Sequence, residues 1–554
     1  MTNIKFDFVK KIYESNIFIY LFFLLYLSIG LIIFKDYGIS LDEPFNRMNG
    51  LVSLRYVVEK FSIPLDLHQV TVHIPDFHTY IKSTSNINII YGVVFDLPLA
   101  LIEVLFNLQD TRDIYLTRHL FNFFVFFVST ICFYHLINFQ FKSKGLALIG
   151  VLLLILSPRI FAHSFFNSKD IIFLSLMIFA IFFSLKTLNQ NGIKYIFLAA
   201  FFTALATALR VPGCYILILT IFFYYLNYDK EKHEFSRLKF SLYYFLLFLV
   251  SLYLLWPFLW ENPLTNFIYS FKLLGKIPYS FYTLYLGEFV NTKNLPWHYF
   301  FVWFFISTPP IFLLLIIYGF FIVCKTLLKN LSFIDENDKN FLWKTNYEMN
   351  AFFILCVFIV PIFLTILLNS TVYNGWRHFY FVYPALVFLA INSLQFIYLH
   401  FKKIITKSIY LLLITQMLFS IYFIIISHPI QSIYFNSPSK KIFANQFVYD
   451  YWGLSNLISL KKLINNENYE KPIKIATSSF TDLNKTKFII EKDLRDQLII
   501  LGSDKTNADF IFTNYYYNRP PYLEEKFLIP GNYYSIIKLE IGGLLVNEIF
   551  KKKY

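Results

Sequence analysis

Residues 17–44 read IFIYLFFLLYLSIGLIIFKDYGISLDEP. Residues 17–34 form a nearly unbroken apolar run, close to the roughly 20 residues that a bilayer-spanning helix needs. Lys35 and Asp36 end the run, and two adjacent carboxylates follow within Ser40-Leu41-Asp42-Glu43-Pro44. An acid pair at the point where a membrane helix leaves the bilayer decides the reading. The chain is a polytopic helical protein whose polar chemistry gathers at one face of the membrane. No small-residue cleavage site follows the run, so it is read as a retained helix rather than the core of a signal peptide.

Composition agrees. The chain has 554 residues, of which 57% are hydrophobic and only 15% charged; a soluble domain carries about 25% charged residues. The net charge of +14 would suggest nucleic acid in a soluble protein. Here most of it belongs in loops beside membrane helices, and no nucleic-acid partner is expected. The four cysteines, Cys132, Cys214, Cys324 and Cys356, all lie in apolar runs, which argues against a structural disulfide or a thiolate metal site.

Hydropathy and flanking charges give about eleven spans: 17–34, 118–139, 145–156, 171–188, 194–209, a sixth ending near 228, 240–259, 298–325, 351–368, 379–399 and 408–427. The positive-inside rule puts the N-terminus in the cytoplasm and the loops 35–117, 157–170, 210–213, 260–297 and 369–378 outside. Within the long outer loop, 45–61 reads as an amphipathic piece. Residues 87–108 are apolar but carry Asp96, Pro98 and Glu103, so they read as interfacial or re-entrant. From 428 the composition turns polar. Strands are expected at 474–478, 488–490, 498–501 and 509–513, a helix at 457–464, and a closing hairpin over 534–539 and 544–550. The division is thus a membrane domain over 1–427 and a small extracytoplasmic α/β domain over 428–554.

Positive charge on the outer side needs a reason. Arg159, Lys169, Arg210, Arg377 and His378 all fall on outer loops close to span ends. Any one of them could snorkel or pair with an acid. Their convergence from several loops suits a phosphate-bearing lipid, because arginine holds phosphate with a bidentate fork. His163 and Trp376 share these loops and join them as candidate substrate contacts. The outer acids nearest span ends are Asp42, Glu43 and Asp170. Asp42 could equally be the N-cap of the next helix, since Asp-Glu-Pro begins helices well, and Asp170 could cap the span that follows it. His68, His73 and His78 are spaced by five, which matches neither helix nor strand ligand geometry, so no metal site is assigned there. The acidic run Asp335 to Asp338 reads as a solvated turn.

The segments Ser40 to Pro44, Ser157-Pro158-Arg159 to Asp170, Arg210-Val211-Pro212-Gly213, Asn374-Gly375-Trp376-Arg377-His378 to Pro384, His428-Pro429 to Asn436 and Asp450-Tyr451-Trp452-Gly453-Leu454-Ser455 resemble those of the GT-C glycosyltransferases. The chain looks most like the family 39-type branch, similar to protein O-mannosyltransferases and the aminoarabinose transferases of lipid A. The resemblance implies that Asp42 is the catalytic base, that Asp170 is a second outer acid near the donor phosphate, and that Glu43 supports them. The span count is nearer the mannosyltransferases. Asp450-Tyr451-Trp452 is only superficially like the Trp-Trp-Asp motif of oligosaccharyltransferases, and that role is not carried over.

The expected activity is transfer of a sugar from a polyprenyl phosphate donor to a lipid, glycan or protein acceptor at the outer face of a bacterial inner membrane, with inversion. One carboxylate suits this chemistry. A leaving lipid phosphate needs no protonation, unlike the alcohol expelled by glycosidases with their paired acids. The cofactor is open, because two acids near a phosphate could hold a divalent cation or act without one. A lipid or oligosaccharide transporter is the alternative, but no internal repeat stands out and ionisable residues are not placed at span midpoints. A non-catalytic assembly or sensor protein would leave the outer cations and Asp42-Glu43 without a common purpose.

Overall fold

The computed structural model describes residues 15–67, 74–82, 90–190, 192–230, 233–275, 282–332, 342–436, 443, 446–466, 472–516, 518–519, 522–523 and 525–553. His68, His73 and the acidic run Asp335 to Asp338 lie outside the described residues. Apolar runs form the helices α1 (Asn16–Ile33), α4 (Thr111–Phe141), α7 (Asp170–Asn189), α10 (Arg237–Leu255), α11 (Pro310–Ser332), α12 (Asn346–Leu367), α13 (Tyr383–His400) and α14 (Lys403–Ile426). Each belongs to a segment long and apolar enough to cross a membrane, which makes this a multi-pass membrane protein. α5 (Lys144–Ile155) and α6 (Pro158–Phe166) form a ninth such segment if taken together, bent by 71°. Two shorter apolar helices, α8 (Ile193–Leu209) and α9 (Tyr215–Asn227), complete the bundle. Between α1 and α4 lie α2 (Glu43–Lys60), α3 (Asp96–Leu105) and a short helix Phe77–Lys82.

Burial separates the centre from the rim. The span windows of α7 and α13 are each 78% buried, against 28% for α10, α11 and α14 and 22% for α1. The outer ring therefore turns apolar side chains such as Leu21, Leu242 and Leu411 to the lipid. α11 approaches α13 through Gly319, where a Cβ would stand 1.9 Å from the Leu389 carbonyl oxygen. Gly319→Ala should therefore push the helices apart and cost about 1–3 kcal/mol. A lowered melting temperature in detergent would show it; an unchanged one would mean that the helices slide freely.

Proline accounts for two departures from the expected spans. The loop expected at 157–170 is largely α6. Pro158 cannot continue the ladder of α5, so the chain restarts in a new direction after Ser157. The span expected at 298–325 is broken into Tyr299–Ser307 and α11, because Pro309 and Pro310 interrupt it. The apolar stretch around Leu99 is α3, packed against α2 rather than spanning. A Cβ on Gly50 of α2 would lie 2.4 Å from the Asp96 carbonyl oxygen.

After α14 the chain builds a sheet. A small hairpin earlier in the chain pairs β1 (Tyr282–Tyr285) with β2 (Glu288–Asn291). The larger sheet holds β3 (Ile473–Thr477), β4 (Leu498–Ile500), β5 (Phe510–Thr513), β6 (Tyr533–Ile541) and β7 (Leu544–Lys552), in the order β4-β3-β5-β7-β6. β4, β3 and β5 run parallel, and β7 joins them antiparallel through β5. α15 (Ser455–Asn466) covers one face through Leu457, Leu460 and Leu463. The strand expected at 488–490 is instead a turn. Its Ile489 and Ile490 are apolar because they plug the core under α15.

Candidate active site

Asp42 stands immediately before α2. Its side chain makes no capping hydrogen bond and is 41% exposed. The helix start is held by its neighbour instead. Glu43 reaches back to accept from the Ser40 N–H at 2.6 Å, and its other oxygen meets His119 Nε2 at 2.8 Å. Glu43 is thus buried and engaged, and it fixes the loop from which Asp42 projects.

Asp170 begins α7, with a side chain only 1% exposed. Two arginines from separate loops converge on it: Arg210 after α8, and Arg377, whose Nη1 is 3.0 Å away. The same Arg377 nitrogen lies 3.6 Å from Asp42 Oδ2, so one guanidinium bridges both acids. A sharp reversal at Asn374 and Gly375, both at positive φ, delivers Arg377. Tyr373 and Trp452 flank its guanidinium at 4.8 and 4.9 Å.

Asn167 organises the acid further. Its Oδ1 accepts from the Asp170 N–H at 2.9 Å, which fixes the orientation of the amide. Nδ2 then donates to Asp170 Oδ2 and to His163 Nδ1, each at 2.9 Å. His163 is therefore the tautomer with its proton on Nε2, the atom facing the Tyr380 hydroxyl at 3.4 Å. Lys169 is buried, with its ammonium 4.1 Å from the centre of the Tyr91 ring. Burial pushes its pKa down to about 8, and Asp42 and Asp96 pull the other way. Gly92 seats this loop, because its N–H donates to the Ala208 carbonyl at 2.7 Å, next to Arg210.

Trp376 and Arg159 stand apart from this pair of acids. Trp376 is a core wedge, its indole N–H donating to Ser307 at 2.7 Å. Arg159 is buried between Trp303 and Phe435 and donates through Nε to the Tyr434 carbonyl at 3.2 Å. The His378 ring accepts from the Tyr373 N–H at 3.4 Å and stays within electrostatic range of Asp170. The last two still border the aromatic wall that holds Arg377.

Sequence reasoning missed most of that wall. Tyr451 and Trp452 come from beyond α14 yet lie against Arg377. They do so because buried Asp450 accepts from the Leu454 N–H at 3.1 Å, from Ser455 and from Asn514. Lys485 was also missed. Its Nζ donates to the Leu41 carbonyl at 3.2 Å and lies 4.6 Å from the Phe45 ring centre. A buried ion pair between Arg118 and Asp96, at 3.0 Å, lies below Lys169. The Asp450-to-Ser455 motif was readable as a family segment though not for this contact, and the Asn167-to-Asp170 spacing carried a further signal. Among the described residues no three His, Cys, Asp or Glu side chains cluster as metal ligands. Arg377 already places a positive charge between Asp42 and Asp170.

An acid 41% exposed, a second acid clamped by two arginines and a buried lysine thus meet at the ends of apolar helices. Residues 100–260 match the family model for dolichyl-phosphate-mannose-protein mannosyltransferases. That stretch carries Arg159, Lys169, Asp170 and Arg210, and the match agrees with the GT-C resemblance of the sequence motifs. No curated protein sequence matches the chain. Among solved structures, the chain is similar to the crystal structure of ArnT from Cupriavidus metallidurans bound to undecaprenyl phosphate. The two share 11% identity over 95% of this chain and 97% of that one, with a TM-score of 0.37.

Proposed function

We propose that this protein is a membrane glycosyltransferase that moves a sugar from a polyprenyl phosphate to an envelope acceptor hydroxyl by single displacement with inversion. The observation that carries the reading is Arg377, held between an exposed acid and a buried one at the edge of the spans. In this reading Asp42 takes the acceptor's proton as its oxygen attacks the anomeric carbon. The sugar–phosphate bond breaks with its electron pair on the phosphate oxygen. Arg377, Arg210 and Lys169 stabilise the charge that develops there. Glu43 and His119 position the Asp42 loop, and Asp170 lies between the two arginines and offsets their mutual repulsion.

The Asp42 end of the bundle is assigned to the outer face of a bacterial inner membrane. Residues 1–427 form the catalytic membrane part, and 428–554 form an extracytoplasmic domain that closes over it through Trp452 and Lys485. The test is direct. Purified protein in detergent, given a polyprenyl phosphate-linked sugar and candidate acceptors, should release free polyprenyl phosphate. No release with any polyprenyl phosphate sugar would end the proposal.

A pH signature belongs to the same reading. The lowered lysine pKa means that Lys169 loses its proton as pH rises through about 8. The apparent KM for donor should then climb above that pH, while its low-pH value stays flat. Lys169→Arg should move this limb out of the measurable range, because a guanidinium stays charged. An identical pH profile in the variant would remove Lys169 from the phosphate contacts.

A further inference from the structure

A cavity of about 350 Å³ lies at the far end of the bundle, between α11, α12 and α13. Arg377 and His400 are the two ends of one 24-residue membrane-length segment, and at 1.5 Å per residue they stand about 35 Å apart. The cavity, lined by His400, Tyr347 and Glu348, is therefore at headgroup depth in the leaflet opposite the Asp42 site. Leu399, which also lines it, is 64% exposed on the outer surface of the bundle, so the mouth opens toward lipid.

The chemistry of the wall is one-sided. Among the described lining residues there is no lysine or arginine, and Glu348 is the carboxylate. The Asn330 Nδ2 and the Lys344 N–H both donate to Glu348 Oε2, at 2.9 and 2.8 Å. Three ring faces accompany it. His400 stacks on Phe396 with ring centres 4.1 Å apart, while its Nδ1 donates to the Phe396 carbonyl at 3.0 Å. Tyr347 donates to the Asn392 amide oxygen and lies 2.9 Å from that of Gln395. A buried amide chain holds Tyr347 in place: Asn189 donates to Asn350 at 2.8 Å, Asn350 to Gln140 at 2.9 Å, and Gln140 to the Tyr347 carbonyl at 3.0 Å. One carboxylate among aromatic faces, with no lysine or arginine among the described lining residues, selects an ammonium group.

We propose that this cavity binds the ammonium headgroup of a zwitterionic phospholipid from the leaflet opposite the Asp42 site. Glu348 is the counter-charge, and Tyr347, Phe396 and His400 form the ring walls. The inference is independent of the transfer reaction. Native mass spectrometry of the full chain, delipidated in detergent and titrated with dioleoyl phosphatidylethanolamine, phosphatidylcholine or phosphatidylglycerol, tests it. Either ammonium lipid should bind about tenfold more tightly than phosphatidylglycerol. Glu348→Gln should abolish that preference. Thr326→Phe fills the cavity from α11 without altering any charge and should abolish binding of the ammonium lipids, which covers the case in which the Glu348 variant fails to fold. Equal binding of phosphatidylglycerol by the unmodified protein would overturn the proposal. So would a preference that survives Thr326→Phe in a monodisperse preparation.

Discussion

Asp42→Asn is expected to insert normally, bind donor and transfer sugar at least about 100-fold more slowly, the lower end of what a general base contributes. The structure sharpens this expectation. The competing idea, that Asp42 only caps α2, requires a side-chain hydrogen bond to the first turn, and Asp42 makes none. Glu43 performs the reach-back instead, to the Ser40 N–H. The two acids therefore separate cleanly by substitution. Glu43→Gln keeps an acceptor for the Ser40 N–H but weakens the buried contact to His119, so it should lower stability and activity together. Asp42→Asn should leave the melting temperature unchanged, because a side chain 41% exposed and 3.6 Å from its cation contributes little to the fold. Transfer by purified Asp42→Asn at the wild-type rate would make Asp42 a structural residue after all.

The contrast between those neighbours shows what the sequence could and could not convey. Position relative to the first span was legible, because hydropathy reports directly which residues leave the bilayer. Division of labour between Asp42 and Glu43 was not, since it depends on His119, which reaches Glu43 from α4 across 76 positions. The same holds at Arg377. Its place on a short loop beside a span was readable, but its bridging of Asp42 and Asp170 arises from three chain segments meeting in space. Trp376 misled for a physical reason. Tryptophan beside an arginine in an aromatic loop fits a sugar platform or a core wedge equally well, and Ser307 on another helix decides between them.

The fold shows a similar boundary. Apolar runs located the eight membrane-length helices among the described residues, fewer than the eleven spans expected, whereas breaks at Pro158 and Pro310 needed proline to be weighed above hydropathy. The C-terminal strands were visible as short apolar runs in a polar stretch, and the closing hairpin expected over 534–539 and 544–550 is β6 with β7. Ile489 and Ile490 read as a strand because a buried turn and a short strand have the same composition.

Asp170→Asn should be the most destabilising single substitution in the site. The carboxylate is fully buried and faces Arg210 and Arg377 together. Removing its charge leaves the buried Arg377 guanidinium and the half-buried Arg210 guanidinium with only Asp42 opposite one of them, at 3.6 Å. Breaking a buried ion pair by neutralising one partner costs about 3–5 kcal/mol, because the remaining charge stays desolvated and uncompensated. A fall in detergent melting temperature should report this loss. Arg210→Gln in the same chain should restore part of it, with a coupling of about 1–3 kcal/mol. A second consequence distinguishes a charge holder from a catalytic base. Unpaired guanidiniums attract an anion more strongly, so polyprenyl phosphate should raise the melting temperature of Asp170→Asn by more than it raises that of the unmodified protein. A catalytic base would behave differently: its loss would abolish transfer, leave stability unchanged and leave the ligand-induced shift as it was. That second pattern would place the base at Asp170 and make Asp42 the outer partner of Arg377.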